Sequence, residues 1–339
     1  HGQAASVPTS DTASPNVYVN DWFGSHGLGS ISIQQACSTG YLALDIAAQC
    51  VASGKFDFVL ACCFDFGQAV YVPGKPAHIR QRLTTAGFRE MVNRTSDSVY
   101  TRFFEAGVFN LFDDSIAYYM KKYNISAEKM DDALNKLAII NRRNASKNPL
   151  ALHREKFEEL AKKAGFDDVM DYMRSDEYNP KLSEYMRRLH FEARADGAAA
   201  CILCPTEIAR DFKEKPIEIL GVGNCVLDCI HPHIEIEATR EATRQVYELT
   251  GVKSEEIDLL LAQDFFISSC FLAAEETGYI PKGEVWDYDL AGRTAFDGDK
   301  PMNTNGGRCS FGHAHAASGL ADYYEAVKQM RGQAGEHQI

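Results

Sequence analysis

The chain predicts a layered α/β protein. Strand–helix–strand alternation recurs in both halves, and one helix between strands is built from small residues that suit burial. With 339 residues and 45% hydrophobic content there is material for a sizeable core, arranged as two similar units. In chain order, Ile31 and Ile33 lead as a strand into Cys37. Ser38-Thr39-Gly40 then admit a helix with Leu42, Leu44, Ala48 and Val51 at apolar positions, and a strand follows up to about Gly67. A turn at Val72-Pro73-Gly74-Lys75 opens an insertion reaching about Leu189, with helices over 111–122, 127–144, 155–164 and 169–174. Ser126 is placed to N-cap the second of these, with Lys129 rather than an acid at N3, so the capping box is incomplete. A strand over 190–204 enters through Asp196-Gly197, and further strands are expected over 217–222 and 259–262. Helices over 239–250 and 266–277 end at Gly251 and Gly278. The last helix follows Ser318-Gly319, with Leu320, Tyr323, Tyr324, Val327 and Met330 at helical spacing.

Composition excludes several functions. No run approaches about 18 consecutive apolar residues, so no membrane span is expected, and no charged n-region with an apolar h-region opens the chain. A formal net charge of -12 disfavours a nucleic-acid or anionic-membrane surface. The ten cysteines are scattered through apolar segments rather than spaced as a disulfide framework, which points to a reducing compartment and a cytoplasmic protein. Cys201 and Cys204 lie three apart in a strand, where they face opposite ways and could not easily grip one metal. Cys225, Cys229, His231 and His233 have a spacing unlike structural zinc sites, so no metal is expected; the two histidines could instead line an acyl pocket.

The chemistry concentrates at two distant points. Cys37 sits where a strand ends and a helix begins, where unpaired N–H groups and the helix dipole stabilise a thiolate, and can also stabilise an oxygen anion beside it. Cysteine is also a common buried residue, so this position alone leaves packing open. His313 follows Gly312 just ahead of the last helix, held by backbone geometry, and is a candidate base for the thiol or a donor to a thioester oxygen. A solvent-exposed turn histidine is the plainer reading.

Together these stretches resemble the thiolase superfamily, closest in style to the sterol-carrier-protein type. ACSTG with ALDIAAQCVASGKFDFVLA resembles the nucleophile block, NTNGGRCSFGHAHAASG the histidine block, and EAVKQMRGQAG the segment after it. NLFDDSIAYYMKKYNIS, NRRNASKNP and RADGAAACILC resemble the sterol-carrier type in particular. The match covers nearly the whole chain, in family order. It implies a thiolase fold of two α/β/α halves, 1–204 and 205–339, with a helical loop domain at about 73–189 in the first. It also implies that the full polypeptide carries strands before His1 and after Ile339, with HGQAAS at the start resembling a loop near the active site; intact mass tests this, since a species near 37.6 kDa would contradict it.

The resemblance further implies an acyl-CoA C-acyltransferase in which His313 deprotonates Cys37 and an acyl-cysteine passes its acyl group to coenzyme A, or the reverse condensation. Where the family places a histidine in an H-D-C-F-like block, this chain has Gln263 beside Asp264. Gln263 can donate a hydrogen bond but is no acid; Asp264 could handle protons or cap the helix beginning near Ile267. The family's second cysteine, which protonates the leaving carbanion, is not in view, and His315 is the leading substitute, ahead of Asp264. Arg142, Arg143 and Lys147, with Arg154 nearby, are candidates for coenzyme A phosphates, and Ser318 is a further binding candidate. Phe265 and Phe266 suggest an apolar cavity and a bulky or aromatic substrate such as 2-benzoylsuccinyl-CoA. The relatives include acylation of a phenolic ring and retro-aldol cleavage; Cys37 argues against the latter, and the pairing of Cys37 with His313 argues against a scaffold subunit. A homodimer is implied, and a small OB-fold zinc-binding partner subunit is a further implication.

Overall fold

Thr39, Gly40, Ala43, Leu44 and Ala47 form the buried stripe of the helix that follows Cys37, and their small size lets a second helix approach closely. The computed structural model describes residues 15–65, 108–227 and 235–339. The expected turn at 72–75, the opening HGQAAS loop, and Cys229, His231 and His233 lie outside them. The elements run α1 (Pro15–Trp22), α2 (Thr39–Ala52), β1 (Val59–Asp65), α3 (Val108–Tyr123), α4 (Ala127–Lys147), α5 (Phe157–Lys163), α6 (Val169–Arg174) and β2 (Gly197–Leu203). They continue as α7 (Thr206–Ala209), α8 (Glu237–Thr250), α9 (Ile267–Glu276), α10 (Val285–Leu290), α11 (Gly307–Ser310) and α12 (His315–Met330). Among the described residues no helix is long and apolar enough to cross a membrane.

The chain divides into two units that draw residues from either side of position 204. The first holds the described residues up to 65 with Arg194–Ile219 and His313–Arg331. Here β1 and β2 pair antiparallel, Val59 opposite Leu203 and Asp65 opposite Gly197. Opposed residues share a face. Ala61 and Cys63 point into a core with Ala43, Leu44 and Ala47 of α2 and Ala316, Ala317 and Leu320 of α12, while Leu60 and Ile202 face out. Cys201 faces the core, and burial pushes its thiol up to about 11, which keeps it a neutral packing group.

The second unit is mainly helical. Its core gathers Ile116 of α3, Met130, Leu134 and Leu137 of α4, Ile267 and Phe271 of α9, and Val285 of α10. Ser126 caps α4 as expected, its hydroxyl accepting the Lys129 N–H at 3.3 Å. α8 ends at Gly251 in the left-handed region, φ +72°, where an added Cβ would be strained. Among the described residues the expected strands at 217–222 and 259–262 do not form ladders; Leu260 makes a single bridge to Met302. Asn141, Asn144 and Asn148 share one face of α4. Asn144 donates to the carbonyls of Met302 and Asn303, and Asn148 to that of Asn305, which fixes the 303–307 turn.

Candidate active site

Cys37 sits in a tight 3₁₀ turn, Ala36–Ser38, directly before α2. Ala36 has φ +45°, uncommon for a residue with a side chain. The buried Thr39 holds this turn: its hydroxyl accepts the Gln35 N–H at 2.9 Å and donates to the Ala36 carbonyl at 2.6 Å. The thiol therefore leaves the backbone at a fixed angle, half-buried, at the head of a 14-residue helix.

His313 meets it in the same unit. Gly312, φ +125°, makes the bend before it, and the His313 carbonyl accepts the Ala195 N–H at 3.1 Å, beside the bridge between Arg194 and His313. The imidazole is fully buried, with Nε2 3.2 Å from Cys37 Sγ and Nδ1 3.0 Å from Ser318 Oγ. Ser318 Oγ also accepts the Ala314 N–H at 3.0 Å. Its hydroxyl orients the histidine. In the tautomer with hydrogen on Nδ1, Nε2 turns its lone pair to the thiol.

His315 lies beside this pair, its ring 4.8 Å from that of His313 and nearly perpendicular to it. Its Nδ1 is 2.8 Å from Oδ2 of Asp65, the buried residue ending β1. Asp65 gave no signal in the sequence beyond its place at a strand end; the position of its carboxylate follows from the β1–β2 register.

The remaining candidates belong to the second unit. Asp264 is fully buried and accepts from Asn141 Nδ2 at 2.9 Å and from the backbone N–H groups of Arg308 at 2.5 Å and Cys309 at 3.4 Å. It thus caps α11, not the helix at Ile267, whose N-cap is Phe266 without a side-chain bond. Gln263 is half-buried, and its carbonyl accepts from Ser269. Arg142 is buried: Nε donates to Ser310 Oγ at 2.9 Å, Nη1 to the Glu155 carbonyl, and the guanidinium lies 4.2 Å from the centre of the Phe157 ring. Burial lowers it to about 10, and these contacts make it part of the core rather than a surface cation. Arg143 and Lys147 are partly exposed and pair with Asp297 and Glu336, contacts of small net worth in water. Phe266 stacks on Phe112 at 4.3 Å, and Phe265 meets both edge-on, so packing accounts for that pair without a substrate.

The chain is similar to known proteins over most of its length. Residues 230–339 match the family described as thiolase C-terminal domain-like. The chain is 29% identical to an acetyl-CoA acetyltransferase of Methanothermobacter thermautotrophicus, over 95% of this chain and 76% of that one. It is 26% identical to sterol carrier protein 2 of Bos taurus, spanning 93% of this chain and 55% of the relative. It is 24% identical to the benzoylsuccinyl-CoA thiolase subunit BbsB of Thauera aromatica, over 91% of this chain and 72% of that one. Among solved structures, the Ltp2-ChsH2(DUF35) aldolase superposes with a TM-score of 0.72 at 20% identity, covering 98% of this chain and 79% of that chain. The Acat5 thiolase from Ascaris suum in complex with coenzyme A gives 0.58 at 19% identity, covering 96% and 79%. The fold is that of the thiolases.

Proposed function

We propose that this chain is an acyltransferase of the thiolase superfamily that breaks or makes a carbon–carbon bond in a 3-oxoacyl-CoA through an acyl group carried on Cys37. The observation that carries the reading is the 3.2 Å contact between Cys37 Sγ and His313 Nε2. With Nδ1 donating to Ser318, His313 takes the thiol proton at Nε2. The thiolate adds to the 3-keto carbon, and N–H groups at the start of α2 are donors for the oxygen charge that develops. Collapse expels the enolate of the shorter acyl-CoA, a stable leaving group because its charge spreads into the thioester. Coenzyme A then accepts the acyl group from Cys37. Gln263 and Asp264 are assigned no step, since Asp264 is fully engaged as a cap.

The Thauera relative supports a bulky or aromatic substrate such as 2-benzoylsuccinyl-CoA, and the acetyl-CoA acetyltransferase relative supports acetoacetyl-CoA. The Thauera relative is named as a subunit, and the aldolase neighbour is named together with ChsH2(DUF35); both support a partner subunit for this chain. The aldolase neighbour also raises carbon–carbon cleavage without acyl transfer as a second reading. The Cys37–His313 pair separates the two, because aldol cleavage needs no thiol.

Intact-mass measurement after mixing with 2-benzoylsuccinyl-CoA or acetoacetyl-CoA, without free coenzyme A, tests the reading. The expected result is an acyl adduct on Cys37 that free coenzyme A removes. Iodoacetamide should label Cys37 ahead of the other nine cysteines, with acyl-CoA protecting it. Uniformly slow labelling and no adduct would refute the nucleophile.

A further inference from the structure

The first unit carries a second histidine whose arrangement the Cys37–His313 pair does not explain. His315 has φ +27°, a conformation that residues with side chains rarely adopt, and its neighbour Ala314 is pressed against the position a Cβ on Gly197 would take. This strained backbone brings the imidazole to Asp65, and Nδ1 lies 2.8 Å from Oδ2 of a carboxylate that is 1% exposed. Among the described residues the second oxygen, Oδ1, is buried without a hydrogen-bond partner, an expensive way to place a carboxylate for packing alone. The His315 side chain is 13% exposed and so retains access to solvent, while its ring stands against that of His313.

We infer that Asp65 and His315 form a separate acid–base dyad that handles the proton on the α-carbon, while His313 serves the thiol. The inference rests on the acyl-Cys37 reading for its place in the reaction, and it deepens that reading by naming the second proton carrier. With Nδ1–H donating to Asp65, Nε2 is the exchanging atom, and the carboxylate fixes the ring's tautomer and orientation. In cleavage, the electron pair of the broken carbon–carbon bond stays on the α-carbon as the enolate. Nε2–H of the His315 imidazolium gives its proton to that carbon, forming the new C–H bond and leaving His315 neutral. The incoming coenzyme A thiol then gives its proton to Nε2, and its sulfur attacks the acyl-Cys37 carbonyl and displaces the Cys37 thiolate. One proton enters from the thiol and one ends on carbon, and nothing is oxidised or reduced. In the condensing direction the neutral Nε2 removes the α-hydrogen. His315 is thus a catalytic residue and Asp65 a positioning residue.

Exchange of the methyl hydrogens of acetyl-CoA in deuterium oxide reads the α-carbon step, and intact mass reads acetylation of Cys37 by the same probe. His315→Ala should lower exchange by about 10²-fold or more, while iodoacetamide still alkylates Cys37 within a few-fold of the unchanged protein. Added imidazole should restore part of the lost exchange, which a folding defect would not permit. Asp65→Asn should lower exchange, since the Nδ1–H of His315 loses its carboxylate acceptor, and Asp65→Glu should recover part of the loss. Unchanged exchange in His315→Ala, or no exchange by the unaltered protein, overturns the dyad. Absence of acetyl-Cys37 in every form while exchange still depends on His315 would instead refute the acyl-cysteine reading and leave the dyad standing.

Discussion

Gly40 lies directly against Gly319. A Cβ on Gly40 would come within 2.7 Å of the Ala316 carbonyl oxygen, and one on Gly319 within 2.8 Å of the Tyr41 N. This backbone-to-backbone approach sets the separation of α2 and α12, and so the separation of the thiol ahead of one helix from the imidazole ahead of the other. Tyr41 and Asp322 close the same seam with a hydrogen bond between phenol and carboxylate.

Gly40→Ala should therefore force the two helices apart. Overpacking of this kind costs about 1–3 kcal/mol and lowers the melting temperature. Thermal unfolding together with alkylation of Cys37 checks it: the variant should melt earlier, and its Cys37 should lose its lead over the other thiols. A variant with unchanged values for both would show that the seam has slack.

His313→Ala should reduce Cys37 acylation and turnover together, by about 10²–10⁴-fold. Ser318→Ala removes one orienting hydrogen bond and should lower kcat by a smaller factor, roughly fivefold for about 1 kcal/mol, with KM little changed. Ser318→Thr keeps the hydroxyl and should recover most of the loss. Steady-state kinetics and single-turnover acylation measured on the three variants separate orientation from proton transfer.

Asp289 predicts a stability that falls as pH rises. It is fully buried, and burial first, then the nearby Glu275, raises its carboxyl to about 8, against the hydrogen bond from Thr294. Below the ordinary carboxyl value of 3.8 both folded and unfolded chains hold the proton. Above it the unfolded chain releases the proton first, so the contribution declines between about 4 and about 8 and is level beyond. Asp289→Asn should flatten this slope, and its advantage in melting temperature over the unaltered protein should be larger at pH 8 than at pH 5. An equal difference at both pH values would place the ionisation elsewhere.

Arg143 and Lys147 remain the cations of the NRRNASKNP segment available for phosphate, since Arg142 is inside the core. Replacing both with alanine should weaken coenzyme A binding several-fold and reduce its salt dependence, with little change in melting temperature because exposed pairs contribute about 0–1 kcal/mol each. Calorimetric titration at two salt concentrations checks it. Arg142→Ala should behave oppositely, losing stability through its contacts with Ser310, Glu155 and Phe157.

Features that depend on local chain preference were legible in the sequence. The long helix α4 with its Ser126 cap and the glycine stop at Gly251 follow from periodicity and backbone freedom. The apolar runs at 217–222 and 259–262 read as strands because a short apolar run looks alike whether it pairs or packs under a helix, and only its neighbours decide. The same limit governs polar groups. Asp264 stands at the right spacing to cap α9, yet the N–H groups it accepts belong to residues 44 and 45 positions later. In NRRNASKNP the charged residues drew attention, whereas Asn144 and Asn148 hold the 303–307 turn and Asn141 donates to Asp264. Cys37 and His313 were recognisable from their motifs, but Ser318 as orienter and Asp65 as partner of His315 required the tertiary fold.

The thiol and its imidazole stand 276 positions apart in the chain. No partial product of synthesis that lacks residue 313 can assemble the pair, so Cys37 meets its imidazole only once α12 has docked. If His313 activates Cys37 as proposed, selective alkylation at this one sulfur counts the molecules whose two distant segments have come together. It can serve as a folding assay that needs neither substrate nor knowledge of the acyl chain.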